Sequence, residues 1–150
     1  MDSYLYSKFS SLNIEVIENI KDAYSINLDK EVVQVIMNIL NNARDALAET
    51  NEQRRLIFID IYQNNKSAII EIKDNAGGIP TKIIDKIFEP YFTTKHQSQG
   101  TGIGLYMSQE MVVKHMQGTL EVKNLEYKYE SKDYKGAKFV VSLPLEKLSN

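Results

Sequence analysis

Apolar and polar residues recur along this chain with two different periods, and each period predicts one kind of element. Apolar positions recur at helical spacing over residues 30–49, 81–88 and 105–116, which predicts helices. They alternate with polar positions over residues 13–19, 24–28, 56–63, 67–73, 119–125 and 137–143, which predicts extended segments. The charged, tyrosine-rich residues 126–135 are expected to form a long exposed loop. This order predicts an α+β fold, in which about three helices cover one face of a mixed, mostly antiparallel sheet of about five strands.

The helix predicted over residues 30–49 carries an unusual polar stripe. Its apolar face consists of Val32, Ile36, Ile39, Leu40, Ala43 and Leu47. The opposite stripe consists of Gln34, Asn38, Asn42 and Asp45. Asparagine is a middling helix former, because its side chain competes for backbone hydrogen bonds. Repeated amides beside a carboxylate therefore indicate a need for oxygen ligands, and the plain alternative is a solvated helix face.

Composition and charge narrow the class of protein. The chain has 150 residues, a formal net charge of −2 and no cysteine. This balance gives no electrostatic footprint for nucleic acid or an anionic membrane, and it excludes thiol chemistry. We expect one domain over residues 13–145, preceded by the remnant of a helix or linker at 1–12 and followed by a tail at 146–150. It is expected to be cytosolic, either as a cytosolic protein or as the cytosolic portion of a longer, membrane-bound sensor.

Two glycine-containing segments suggest phosphate chemistry. Residues 100–104 (Gly-Thr-Gly-Ile-Gly) precede a predicted helix, where free backbone N–H groups can hold phosphates; the alternative is a flexible first turn. Residues 74–79 (Asp-Asn-Ala-Gly-Gly-Ile) follow a predicted strand, where Asp74 can accept a hydrogen bond from an exocyclic amine; the alternative is a tight turn that Asp74 caps. With the asparagine stripe, these segments indicate a base site, a phosphate cradle and a Mg²⁺ site.

These motifs occur in an order that resembles the ATP-binding catalytic domain of sensor histidine kinases, within the wider group of gyrase, MutL-type and heat-shock ATPases. Residues 38–43 are similar to the N box, 74–79 to the first glycine box, 88–95 to the F box and 100–105 to the second glycine box. Residues 136–144 match the closing strand, so the resemblance covers residues 13–145. The wording of the F box is most similar to kinases of the nitrogen-regulation type.

The resemblance implies a Bergerat α/β sandwich that binds ATP and Mg²⁺. Asn42 would contact the metal with Asp45 in support, and Asp74 would accept from the adenine amino group. The implied nucleotide-binding set is Asn38, Asn42, Asp45, Asp74, Ala76, Gly78, Ile79, Phe92, Thr101, Gly102, Ile103, Gly104 and Leu105. Residues 91–101 would form a lid over the nucleotide. Within this lid Lys95 would join Asn38 and Asn42 as a catalytic residue, although a solvated lysine is an equal alternative.

The sequence departs from the family pattern at informative places. Hydrolysing relatives place a glutamate where this chain has Asn38, and an amide cannot take the proton of an attacking water. This favours transfer of the γ-phosphate over hydrolysis. Ala76 replaces a glycine, so its backbone must keep a negative φ or tolerate strain. Many members of the family have a threonine beside the base; in this chain it is replaced, near Ala137, by another residue.

Neither histidine of the chain lies in a dimerisation helix, since His96 falls in the lid and His115 at the end of a helix. The expected partners are therefore a separate dimerisation and phosphoacceptor domain, and a response regulator. We expect the isolated domain to be a monomer without nucleic-acid or membrane contacts. Two alternatives stay open: an ATPase switch of the gyrase or MutL kind, and an anti-sigma-like protein serine kinase.

Overall fold

A computed structural model describes residues 9–21, 29–92 and 103–145. Its strands are β1 (Ile14–Ile20), β2 (Arg55–Asn64), β3 (Ser67–Asp74), β4 (Thr119–Tyr129) and β5 (Lys132–Pro144). They form one sheet in the order β1-β2-β3-β5-β4, in which β1 and β2 are parallel and the other pairs are antiparallel. The predicted mixed, mostly antiparallel sheet is thus confirmed. The strand expected at 24–28 lies outside the described residues.

The two longer helices are α1 (Lys30–Ala48) and α2 (Gly104–Glu110), and a π-helical segment, Met111–His115, continues α2. The predicted N-cap is present, since the Asp29 side chain accepts a hydrogen bond of 3.0 Å from the Val32 N–H. Residues 81–88 were expected to be helical. They form turns around a 3-10 helix of three residues, Ile84–Lys86, because so short a segment gains few α-helical hydrogen bonds.

The core lies between the helices and one face of the sheet. Alternate residues of the central strands, such as Ile70 and Ile72 on β3 and Phe139 on β5, point into it and are almost fully buried. The side of α1 that faces them buries Val32, Val35, Ile39, Leu40, Ala43 and Leu47. The predicted apolar face is correct except at its edge, where Val35 is buried and Ile36 only half-buried. In the described residues no helix is both long and apolar enough to cross a membrane.

The long loop expected at 126–135 is wrong. β4 and β5 stay paired up to Tyr129 and Lys132, and only Glu130 and Ser131 form the turn. The extended strands are stabilised on the face away from the helices, where the Tyr129 ring meets Phe58 at a centroid distance of 4.9 Å. Tyrosines alternate with charged residues in this segment, so the period of a strand was present but its polar composition concealed it.

The hairpin turn offers a stabilising substitution. Glu130 and Ser131 have φ angles of 49° and 68°, values that Asn-Gly adopts with much less strain. We expect Glu130→Asn with Ser131→Gly to raise the free energy of unfolding by about 1 kcal/mol, measured by urea denaturation. Lys66→Gly, in the β2–β3 turn, is the control, because Lys66 lies outside the left-handed region. An equal gain from that control would show that the backbone angles are not the cause.

Candidate functional site

Asp74, the last residue of β3, is a carboxylate with only 4% of its surface exposed. Its Oδ1 accepts hydrogen bonds from the N–H groups of Ala76 at 3.0 Å and Ala137 at 3.3 Å. Burial raises the pKa of Asp74 above its usual range, and the two backbone donors oppose that rise. Both donors bind the same oxygen. Oδ2 is thereby left to accept a hydrogen bond from a ligand.

The backbone of Asp74 is held as tightly as its side chain. Its carbonyl oxygen accepts a hydrogen bond of 2.6 Å from the Tyr127 hydroxyl. A Cβ atom on Gly136 would lie only 1.7 Å from the same oxygen, so no other residue fits at that position without displacing the strand. Asn75 completes the support, because its buried amide accepts from the Leu56 N–H at 2.9 Å and donates to the Arg54 carbonyl at 2.8 Å.

The loop after Asp74 turns on two glycines. Gly77 and Gly78 have φ angles of 98° and 89°, which glycine alone adopts without strain. The backbone of Ala76 stays out of the left-handed region, so the substitution of alanine for the family glycine is accommodated there. The Gly77 N–H donates to the Lys135 carbonyl at 2.9 Å, which ties the loop to β5.

Asn124 on β4 fastens the far end of this loop. Its Oδ1 accepts from the Ile79 N–H at 2.8 Å and its Nδ2 donates to the Ile79 carbonyl at 2.7 Å. The side-chain amide thereby satisfies both backbone hydrogen-bonding groups of Ile79, as a neighbouring strand would. A Cβ on Gly78 would approach Asn124 Oδ1 to 2.9 Å, so the glycine also makes room for this contact.

The asparagine stripe of α1 contacts the first turns of α2. Asn38 Nδ2 donates to the Ser108 hydroxyl at 2.9 Å and to the Gly104 carbonyl at 3.3 Å. Its Oδ1 accepts from Gln34 Nε2 at 2.8 Å. The structure therefore brings together two motifs that lie 66 residues apart in the sequence.

One turn further along α1, Asn42 is half-buried and makes no hydrogen bond through its side chain to any described residue. Its amide oxygen is available as a ligand. Asp45 Oδ1 accepts from Arg44 at 2.8 Å. The described residues contain no group of three or more acidic, histidine or cysteine side chains that could hold a metal. The amide oxygen of Asn42, with the carboxylate of Asp45 nearby in sequence, is a donor set that suits Mg²⁺, because this ion commonly takes few protein ligands together with phosphate oxygens and water.

Several of the predicted lining residues contact the hydrophobic core. Four of them are partly buried and pack against it: Ala76, Ile79, Phe92 and Leu105. Ile103 and Gly104 are half-buried at the start of α2. The predicted lid residues Lys95 and Thr101 and the predicted nucleotide-binding residue Gly102 lie outside the described residues.

Sequence reasoning missed the residues that support the site from behind. These are Asn75, Ser108, Asn124, Tyr127 and Gly136, which contact the motifs without belonging to their predicted ligand sets. The sequence offered two signals for them: Ser108 among apolar residues of a predicted helix, and Asn124 within an extended segment. Serine is a middling former of helices and asparagine a poor former of strands. Their partners are distant in sequence, so the contacts could not be read from spacing.

Comparisons with known proteins show the family and the fold of the chain. Residues 27–147 match the family of histidine kinase-, DNA gyrase B- and HSP90-like ATPases. The two-component sensor PprA of Pseudomonas aeruginosa is 38% identical over 118 residues, covering 77% of this chain and 12% of PprA. The signal transduction histidine-protein kinase AtoS of Escherichia coli is 39% identical over 127 residues, covering 83% of this chain and 19% of AtoS. The chain thus spans less than a fifth of these relatives.

Among solved structures, the catalytic domain of the histidine kinase ThkA in a nucleotide-free form is similar, with a TM-score of 0.73 and 24% identity. The match covers 96% of this chain and 88% of that one, and it shows a shared fold. Because the family match spans most of the chain and includes every described motif, this protein belongs to the histidine kinase-, DNA gyrase B- and HSP90-like ATPases.

Proposed function

We propose that this chain is the catalytic domain of a two-component sensor histidine kinase. It binds ATP with Mg²⁺ and presents the γ-phosphate to a histidine on a separate dimerisation and phosphoacceptor domain, from which a response-regulator aspartate receives it. We expect the isolated domain to be a monomer. We place the domain in the cytosol, where ATP is available. Sensor kinases among the relatives support this assignment.

The proposed adenine recognition is supported by the geometry at the end of β3. The Oδ2 atom of Asp74 accepts from the exocyclic amino group, while Oδ1 is occupied by the backbone of Ala76 and Ala137. Gly78 and Ile79, held by Asn124, offer a flat backbone surface beside the base. Phe92 and Leu105 pack on the same core and close the apolar side of the pocket.

The phosphate end of the site lies between α1 and α2. Asn42 supplies an oxygen ligand for Mg²⁺, and Gly104, with Gly102 and Thr101 before it, holds the phosphates through backbone N–H groups. Bound Mg²⁺ would neutralise charge on the phosphate oxygens. Lys95 is proposed to reach the γ-phosphate. The contribution of the protein is mainly to position the reactants and exclude water.

The observation that carries the proposal of transfer over hydrolysis is the state of Asn38. Its amide occupies the place of the glutamate base in hydrolysing relatives, and its hydrogen-bonding atoms are engaged by Gln34, Ser108 and Gly104. An amide in this arrangement cannot accept a proton from water. The nucleotide is therefore kept for an acceptor side chain.

The test mixes this chain with a phosphoacceptor domain of a two-component kinase and labelled ATP. We expect acid-labile, base-stable phosphohistidine on the acceptor, abolished by Asn42→Ala. Acid-stable phosphate on a protein partner would identify a serine kinase instead. Steady release of phosphate without any phosphohistidine, again abolished by Asn42→Ala, would identify an ATPase switch.

Substitution of Gly104 tests whether this glycine is needed for ATP binding or for the stability of the fold. Among the described residues, a Cβ at this position would meet nothing closer than Asn38 Cγ at 3.9 Å, an ordinary contact. Gly104→Ala should therefore keep the free energy of unfolding within about 1 kcal/mol of the parent value. It should weaken ATP binding by about tenfold or more, because the methyl group blocks close approach of phosphate. Calorimetric titration with ATP, beside thermal unfolding, measures both; unchanged affinity would contradict the phosphate role.

A further inference from the structure

A buried serine joins the two helices of the nucleotide site. Ser108 lies one turn into α2 and is completely buried, with no exposed surface. Its hydroxyl accepts the hydrogen bond of 2.9 Å from Asn38 Nδ2. Serine is a middling helix former and a buried hydroxyl needs a partner, so an apolar residue would serve packing alone better.

The orientation of the Asn38 amide follows from its surroundings. The Gly104 carbonyl, 3.3 Å from Asn38 Nδ2, is purely an acceptor, so it requires the NH₂ side of the amide. The opposite side then presents Oδ1 to the donor Nε2 of Gln34 at 2.8 Å. A flipped amide would place two acceptors against each other at Gly104. The contacts of Asn38 therefore fix which atom faces Ser108.

These contacts set the spacing of the phosphate site. Ser108 and Gly104 are separated by one helical turn, and Asn38 bonds to both, so it holds α2 in one register along α1. Asn42 lies one turn further along α1 on the same stripe. The register thus decides how far the backbone of Gly104 stands from the metal ligand.

We propose that Ser108 is a positioning residue, which acts through Asn38 to hold the first turn of α2 at the correct distance from Asn42. This inference rests on the proposed function, since it assumes that α2 and Asn42 meet the phosphate tail. It assigns Ser108 to the phosphates and not to the base, because Asp74 is held by other residues, Tyr127 of β4 and Ala137 of β5. We therefore expect substitution of Ser108 to weaken ligand binding more strongly as the number of phosphates in the ligand increases.

The test titrates adenosine, ADP and ATP, the last two with Mg²⁺, into the parent chain and into Ser108→Ala. We expect the affinity for ATP to fall by about fivefold, and that for adenosine to change by less than about twofold. ADP should fall in between. Equal losses for all three ligands, or unchanged affinity for ATP, would overturn the proposal.

Two further variants separate the hydrogen bond from packing. Ser108→Cys nearly preserves the volume of the side chain but accepts hydrogen bonds poorly. It should lose ATP affinity as Ser108→Ala does, and restored affinity would show that packing alone matters. Ser67→Ala, at the opposite end of β3 from Asp74, is the control and should bind all three ligands normally. If the parent chain binds no ATP, the proposed function itself is wrong. If the parent chain binds ATP and Ser108→Ala binds it equally well, only the role proposed for Ser108 is wrong.

Discussion

Gly136→Ala is expected to destabilise the protein by about 3 kcal/mol or more and to abolish nucleotide binding. The added Cβ would lie 1.7 Å from the Asp74 carbonyl oxygen and 2.9 Å from its Oδ1. Neither atom can withdraw easily, because the carbonyl is bound to the Tyr127 hydroxyl and the carboxylate to two backbone N–H groups. Either β5 must move away from β3 or Asp74 must rotate out of the site. Urea denaturation and ATP titration measure the two losses.

Gly118→Ala is the matched control for this prediction. A Cβ there would lie 2.3 Å from the Ser142 carbonyl, so it also clashes with β5, but towards the end remote from Asp74. We expect a comparable loss of stability with ATP binding retained below the unfolding temperature. Loss of binding in Gly118→Ala to the same degree would show that reduced stability, and not displacement of Asp74, explains Gly136→Ala.

Asp74→Asn should weaken ATP binding by about 100-fold or more, and yet stabilise the nucleotide-free protein at neutral pH. Asparagine can keep its oxygen on the N–H groups of Ala76 and Ala137, which places its NH₂ group where Oδ2 stood. Two donors, this NH₂ group and the amino group of the proposed adenine ligand, would then face each other without an acceptor. The stability gain arises because the buried carboxylate is costly to ionise and the amide carries no charge.

The pH dependence of stability tests the same argument. Burial raises the pKa of Asp74 in the folded protein above its ordinary value of 3.8, so the folded state binds the proton more tightly than the unfolded state. Stability contributed by this group is therefore complete below pH 3.8 and is lost as the pH rises through the higher folded-state pKa. In Asp74→Asn that loss should be absent. Thermal unfolding of both proteins from acidic to neutral pH, without nucleotide, measures the difference; parallel curves would contradict it.

The motifs of the site were predictable because each is a local pattern. The amide stripe of α1 follows from helical periodicity, and the glycines after β3 mark a turn that needs positive φ. The same local reasoning failed for residues 126–135, where charge suggested a loop. Tyr127 and Tyr134 belong to strands there, and they are covered by packing around Phe58 from β2, a partner that no local pattern reveals.

The asparagine helix shows where the division lies. The sequence by itself determined that one stripe of α1 would carry amides, since a period of 3.6 residues places Asn38 and Asn42 on one side. Only the tertiary structure decided what each amide does. Asn38 is occupied by Ser108 and Gly104 of α2, whereas Asn42 makes no such contact with a described residue. The physical reason is that a hydrogen bond acts over about 3 Å; its partner is chosen by the packing of two helices and not by spacing along the chain.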